Sequence, residues 1–514
     1  MKLDYKKTIF VGLAFMLISM FWQAYDNLIG KILIDKFGLN QFFSGFVMAL
    51  DNIFALFMLP LFGALSDKTN SKRGRRTPYI IVGTVVAAFA LVGLSFVDNL
   101  QTTKIKSETA IVEEYENVKD LHDDVNEWAN VTFQMSEGAE KTKINKILAN
   151  YTAPSAPDEL SLADTHDVKE AYHNYLRLQA WKKTSSDPGL FVGFMIILLI
   201  ALISMSVFRS PAVALMPDVT IKPLRSKANA VINLMGAFGG VTFLILSMIL
   251  GIDKYSYVNY GPAFIIISVL MLVLLGLFLW RVKEPKLVEE KLALEKELGI
   301  SDEDEEEEET AGALPKEKRL SLILILLSVF FWFMGYNAVI SKLSDYAPKV
   351  LNMGFSTALL IANATAILGF IPIGILSSKI GRKKTILFGV SLLTVCFFTV
   401  RFLTPETGFM LYVVLGLTGI AWASINVNSY PMVVELSKGS NVGRYTGYYY
   451  AFSMAAQIVT PMLSGLFMDK MGRIVLFPYA TICVVISLFT MLFVKHGDVK
   501  PEAKALLEHF DVED

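Results

Sequence analysis

Three ionisable residues stand in long apolar surroundings: Asp26, Asp51 and Arg209. A charge inside a membrane-spanning helix is costly and marks a functional position by default, which makes these three the ion-coupling candidates. Trp22, Tyr25, Asp26 and Ile29 fall at i, i+3, i+4 and i+7, one face of a regular helix. Asp51, Ala55 and Leu59 share another. Arg209 precedes Asp218 by nine residues, about 13.5 Å of helix. Burial favours the neutral carboxyl and a nearby guanidinium favours the carboxylate. Asp26 or Asp51 is therefore expected to exchange a proton as Arg209 approaches or withdraws. All five histidines (His122, His166, His173, His496, His509) lie outside the apolar segments, so a carboxylate must carry any coupled proton. The alternative is a permanent Asp–Arg pair that only ties helices together.

Neutral hydrogen-bonding groups accompany these charges. Asn27, Asn52, Asn337, Asn363, Asn426, Asn428 and Gln457 each donate and accept through their amides, as a polyol requires. Trp22, Tyr25, Trp332, Tyr336 and Trp422 offer flat apolar faces to a sugar ring. These are the substrate-binding candidates. Helix bridging by the amides and simple packing by the aromatics are the alternatives.

The elements that must position these residues follow from composition. The chain has 514 residues, 54% apolar and 18% charged, with mean hydropathy +0.49. Soluble globular proteins are about 25% charged, so a soluble enzyme and a disordered chain are both excluded. Cys396 and Cys483, the only cysteines, sit in apolar runs, which excludes a disulfide framework. A spanning helix needs about 20 apolar residues. Twelve such spans are expected: 8–34, 42–65, 77–97, 189–216, 226–250, 260–281, 319–343, 354–378, 384–403, 408–435, 444–468 and 474–494. The first is a retained helix rather than a cleaved signal. The fold class is thus an all-α membrane protein of twelve transmembrane helices.

Basic residues set the expected topology. Lys68, Lys72, Arg73, Arg75 and Arg76 follow the second span, Lys222, Arg225 and Lys227 the fourth, and Arg382 to Lys384 the eighth. The positive-inside rule puts both termini in the cytoplasm. Helices 1–3 then occupy 1–97 and helices 4–6 occupy 189–281, with an extracellular polar insert at 98–188 between them. A cytoplasmic acidic linker at 282–318 leads to helices 7–12 in 319–494 and a cytoplasmic tail at 495–514. The insert carries 17 acids and 10 bases, with glycosylation-type triplets at Asn130 and Asn150. Asp302 to Glu309 is an unbroken acidic run, read as a solvated linker.

The halves repeat each other. Phe21-Trp22, Asn27 and Lys31 recur as Phe331-Trp332, Asn337 and Lys342, and Asn52 as Asn363. Gly63-Ala-Leu-Ser66 recurs as Gly374-Ile-Leu-Ser377, and Asp218 aligns with Glu435. Two six-helix repeats of like orientation imply a site between them near the midplane. By the same alignment Asp26, Asp51 and Arg209 face Tyr336, Ala362 and Asn426, so the charges belong to the first half alone.

After the second span the chain reads Gly63-Ala-Leu-Ser66-Asp67-Lys68, then Ser71-Lys72-Arg73-Gly74-Arg75-Arg76-Thr-Pro78. Within it Gly63, Asp67, Lys68, Gly74, Arg75 and Arg76 form the conformational loop motif, whose carboxylate accepts charge-assisted bonds that a change of state would break. This pattern resembles the loop signature of the major facilitator superfamily, and in its fuller form the sucrose-transporter branch and the glycoside–pentoside–hexuronide cation symporters. Melibiose-type members carry cation-binding carboxylates immediately before the helix-2 proline and one turn earlier; here, counted back from Pro60, those places hold Leu59 and Ala55. Sucrose transporters carry an Arg five residues before the helix-4 terminal acid, where this chain has Val213.

The resulting expectation is a monomeric secondary transporter of the plasma membrane that uses alternating access. It moves a small polar solute, a sugar or glycoside, in symport with protons rather than sodium. No cofactor, metal or nucleic-acid partner is expected, and no enzymatic activity; the lipid bilayer is its other partner. An exporter of amphipathic compounds and a transport-fold nutrient sensor are the competing readings.

Overall fold

The computed structural model describes residues 3–105, 162–254, 258–298, 316–436 and 442–497. Twelve helices among them are long and apolar enough to cross a membrane, and all their regular structure is helical. In lipid every backbone polar group must be satisfied within its own segment, which leaves helices as the solution for such apolar runs. In chain order the elements are α1 (Tyr5–Lys36), α2 (Gln41–Asp67), α3 (Thr77–Lys104), α4 (Leu162–Ser186), α5 (Gly189–Val219), α6 (Arg225–Ile249) and α7 (Gly261–Arg281). A linker helix α8 (Glu284–Leu298) leads to α9 (Lys316–Leu351), α10 (Phe355–Ile380), α11 (Arg382–Val400), α12 (Met410–Val434), α13 (Val442–Met471) and α14 (Leu476–Leu492).

Two spans run far past their expected ends, α3 and α9, and α1 takes its last two charges into the helix. α1 reaches Lys36, α3 reaches Lys104 and α9 reaches Leu351. Hydropathy ends a span at its first charges, but these charges are buried in pairs: Lys36 with Asp98, and Lys349 with Asp345. A paired, hydrogen-bonded charge costs far less than a lone one, so the helices continue.

Each half packs in the same way. α1 lies along α6, and α3 along α5; in the second half α9 lies along α13, and α11 along α12. The halves meet through α2 against α13 and α6 against α10, two pairs that the repeat exchanges. At the first of these a Cβ on Gly45 would stand 2.0 Å from the Pro461 carbonyl oxygen, and one on Gly465 would stand 2.3 Å from that of Gln41. Only glycine permits this approach. Phe57, Phe89, Ile249, Leu368 and Phe493 are exposed on the outer surface, as lipid-facing side chains are.

α4, the end of the insert, packs on the end of α1 and on α9, touching both halves. The rest of the insert at 106–161, with Asn130 and Asn150, and the acidic run at 302–309 lie outside the described residues.

Candidate functional site

A cavity of about 720 Å³ lies between the halves. It begins beneath the Gly45–Pro461 contact and follows α13 back to Gly447 and α2 on to Pro60. Its wall includes Trp22, Asp26, Asp51, Asn52 and Arg209 from the first half, and Asn337, Trp422, Asn426 and Gln457 from the second. Spans separated by hundreds of residues thus bring nine of the sequence candidates to one space.

The charges are arranged without a direct clasp. Asp51 accepts from Asn52 Nδ2 at 2.9 Å. Arg209 acts electrostatically on both Asp26 and Asp51, yet among the described residues it forms no ion pair within 4.0 Å with either. A permanent Asp–Arg pair is therefore not the arrangement in this conformation.

Six candidates stand elsewhere, each for a physical reason. α1 departs from regular geometry in two π-turns, Tyr25–Ile29 and Ile32–Lys36. A π-turn bonds i to i+5 and widens the helix, so the expected face splits. Asp26 stays on the cavity, while buried Tyr25 turns to α2 and donates to the Val47 and Met48 carbonyls, both at 3.2 Å. Asn27 is buried and donates to Gln23 O at 2.8 Å. Trp332, the repeat mate of Trp22, is fully buried in the core. Tyr336 stacks behind Trp422, with centroids 3.7 Å apart and planes at 6°, one layer back from the cavity. Asn428 accepts from the Ser377 hydroxyl and donates to Ser424 O at 3.0 Å, so it bridges α12 to α10. Asn363 is half-buried on α10 and outside the wall.

Other wall residues escaped the sequence reading: Phe333, Tyr449, Tyr450 and Ser453. Tyr449 shares a 2.9 Å hydrogen bond with Ser429. The run Tyr448 to Tyr450 was the available signal.

The loop motif closes around two carboxylates. Arg76 pairs with Asp67 and reaches Asp218 through Nε at 2.7 Å, and Arg75 Nη2 reaches Asp218 at 2.6 Å. Burial works against the Arg76 charge, but Asp218 and Asp67 outweigh it and lift its pKa above the ordinary value. Glu284, at the start of α8, accepts from the amides of Arg75, Arg76 and Thr77 at 2.7–2.9 Å and from the Thr77 hydroxyl at 2.7 Å. Gly74 has φ +106°, and a Cβ there would lie 2.2 Å from Glu284 Cδ. Gly63 packs on Ser210, while Lys68 is exposed. The second half repeats the clasp with Arg382 Nη2 on Glu435 at 2.7 Å, the acid that aligns with Asp218.

At the opposite end the halves are joined by buried charges absent from the candidate set. Lys349 pairs with Asp35 of the first half and with Asp345 at 2.5 Å. Asp345 also accepts from Arg473 Nε at 2.8 Å and from Gln41 Nε2 at 2.7 Å, and Lys342 Nζ donates to Gln41 Oε1 at 3.0 Å. The repeat of Lys31 as Lys342 was the signal for this cluster.

The profile of the Major Facilitator Superfamily matches residues 179–399 and 361–511, and that of MFS/sugar transport proteins matches 10–107. The chain belongs to the major facilitator superfamily. Among solved facilitators, the xylose transporter XylE from E. coli in an inward-open conformation superposes with TM-score 0.57 at 15% identity, over 98% of both chains. The nucleoside transporter NupG gives 0.54 at 11% identity, over 95% of this chain and 99% of that one. A bacterial homologue of the iron transporter ferroportin gives 0.59 at 10%, over 96% and 99%. At these identities the likeness is one of fold. Sucrose transport protein SUC3 of Arabidopsis thaliana is 36% identical over 63 residues, 12% of this chain and 11% of that protein. This facilitator is accordingly a multi-pass membrane protein of that superfamily.

Proposed function

We propose that this facilitator carries a sugar or glycoside across the plasma membrane by alternating access, in symport with protons, as a monomer with both termini in the cytoplasm. The observation that carries the reading is the meeting of Asp26, Asp51 and Arg209 in a single cavity wall, without a direct ion pair among the described residues. Two carboxylates and a guanidinium within electrostatic reach, separated by open space, suit a proton site whose occupancy follows the state of the cavity. Trp22 and Trp422 supply apolar faces, and Asn52, Asn337, Asn426 and Gln457 supply paired donors and acceptors. The sugar-transport profile and the sucrose and xylose relatives favour the same substrate class. Three charges and several amides in the wall weigh against an exporter of amphipathic compounds. With the basic loops inside, the cavity faces the cytoplasm in this conformation.

The test is uptake into proteoliposomes across a sugar panel, with pH and sodium varied. Asp26→Asn and Asp51→Asn are each expected to abolish accumulation against a gradient while leaving counterflow. Full proton-driven accumulation in both variants would sink the coupling role. Binding without net flux would point to a sensor instead.

A further inference from the structure

α13 and α6, which the repeat exchanges, end in different ways. Asp469, near the end of α13, turns its carboxylate to the start of α2, accepting from Gln41 N at 2.8 Å and from Phe42 N at 2.9 Å. Asp253, just beyond α6, stands against the start of α10, but there the Phe355 amide goes to its backbone oxygen at 3.4 Å. Asp253 is 2% exposed, and its Oδ1 is buried without a partner among the described residues. The space around it is closed, since a Cβ on Gly354 would stand 2.2 Å from Oδ2. On the other side of this contact, Ser356 Oγ in the first turn of α10 is also buried and unpartnered.

An unbonded buried carboxylate is costly. Protonation removes its charge and adds an O–H donor, which a hydroxyl can accept. Burial pushes the Asp253 pKa above the ordinary carboxylate value, against the pull of Lys254 beside it and of Lys31 in α1. Lys31 Nζ donates to Ile252 O at 3.3 Å and lies over the Tyr260 and Phe355 rings. Beyond Lys31 stand Asp35, Asp345 and Lys349 of the buried cluster, which act on it in turn. The first two turns of α10 and the last two of α6 carry no ionisable group. Two cations already act on the carboxylate, and no three His, Cys, Asp or Glu side chains meet as a metal site among the described residues. A proton is therefore the ligand that suits it.

We propose that Asp253 is a proton-binding site separate from the cavity, occupied while this end of the bundle is shut and emptied into water when the end opens. In the closed form the neutral carboxyl is packed between α6 and α10. Parting of the halves admits water, the O–H bond breaks, the proton leaves to solvent and the carboxylate stays behind. By linkage the closed end is favoured at acid pH, and that advantage is lost as pH rises through the raised pKa of the closed form. The proposal rests on the alternating-access reading in one respect, that this end opens at another step.

Two measurements on the full chain in nanodiscs test it, each against Asp253→Asn, which stays neutral at every pH. Infrared spectra titrated from acid to alkaline pH should show one carboxylic acid band that persists above the ordinary carboxylate range and is missing from the variant. Amide hydrogen exchange over 355–362, read by mass spectrometry, reports the opening. That segment is identical in both proteins, so the ratio of their rates at one pH cancels the intrinsic chemistry. The ratio of unsubstituted protein to variant should stay near one at acid pH. It should then climb by about tenfold for each pKa unit that opening removes from the group. A missing band difference, or a ratio that stays flat across pH, overturns the proposal. Should Asp253→Asn fail to fold, Asp253→Ser, which also lacks the titrating group, supplies the same comparison. Sugar flux of the unsubstituted protein is measured in parallel: its absence removes the proposed function, whereas the infrared band reports on Asp253 by itself.

Discussion

Glu284 satisfies four donors with one carboxylate: three consecutive amides at the start of α3 and the Thr77 hydroxyl. Glu284→Ala strands those buried donors, at about 1–3 kcal/mol for each one that water does not reach. The thermal midpoint in detergent should fall by several degrees, and by less in Glu284→Gln, which keeps an acceptor. An unchanged midpoint in Glu284→Ala would mean that solvent replaces the carboxylate. Tyr25 makes a second residue-level case. Its hydroxyl is spent on the Val47 and Met48 carbonyls, so Tyr25→Phe should cost about 0.5–1.5 kcal/mol of stability and leave substrate KM unchanged. A raised KM would return Tyr25 to the binding site. The loop motif from Gly63 to Arg76 was legible in the sequence because its residues are neighbours. Glu284 was not, since it is one acid among many in a linker and its role comes from a fold that sets it against Gly74.

At the level of elements, the π-turns of α1 decide which side chains meet the cavity. Regular spacing put Trp22, Tyr25 and Asp26 on one face, and the wider turn keeps Trp22 and Asp26 there while turning Tyr25 toward α2. Sequence periodicity cannot register such a turn, because the bulge answers to packing against neighbouring helices rather than to local propensity. α4 is held by similarly close contact. Gly38, in the turn between α1 and α2, has φ +74°, and a Cβ on it would stand 2.2 Å from the Trp181 amide nitrogen. Arg177 Nη1 donates to Gly38 O at 3.2 Å. Gly38→Ala adds a left-handed penalty of about 1–2 kcal/mol to that clash and should unseat α4. Limited trypsin digestion at Lys182 and Lys183 should then quicken, and an unchanged rate would show that α4 is anchored elsewhere.

For the whole molecule the decisive contacts are those that join the halves. Lys349 stands between Asp35 of the first half and Asp345 of its own, and all three side chains are buried. Removing one partner of a buried pair leaves an uncompensated charge, a loss of about 3–5 kcal/mol. Lys349→Met should therefore lower the thermal midpoint markedly, and adding Asp35→Asn should restore most of the loss. The two changes are expected to be strongly non-additive, and additive losses would show that the halves are not coupled through this pair. Symmetry is also broken at this scale. Trp22 lines the cavity and its repeat mate Trp332 is buried, while Trp422 from α12, backed by Tyr336, provides the aromatic face of the second half.

The sequence by itself determined the twelve helices, the internal repeat, the loop motif and the three charges of the first half. Each of these is written in local composition or fixed spacing, and a bilayer leaves an apolar run of that length a single backbone solution. Only the tertiary structure decided which side chains share a cavity and which charges are harmless. Asp35, Asp98, Asp345 and Lys349 look in sequence like the ends of spans, and they become the buried seam between helices and halves. The reason is that the cost of a charge depends on what stands opposite it, and what stands opposite comes from helices up to hundreds of residues away.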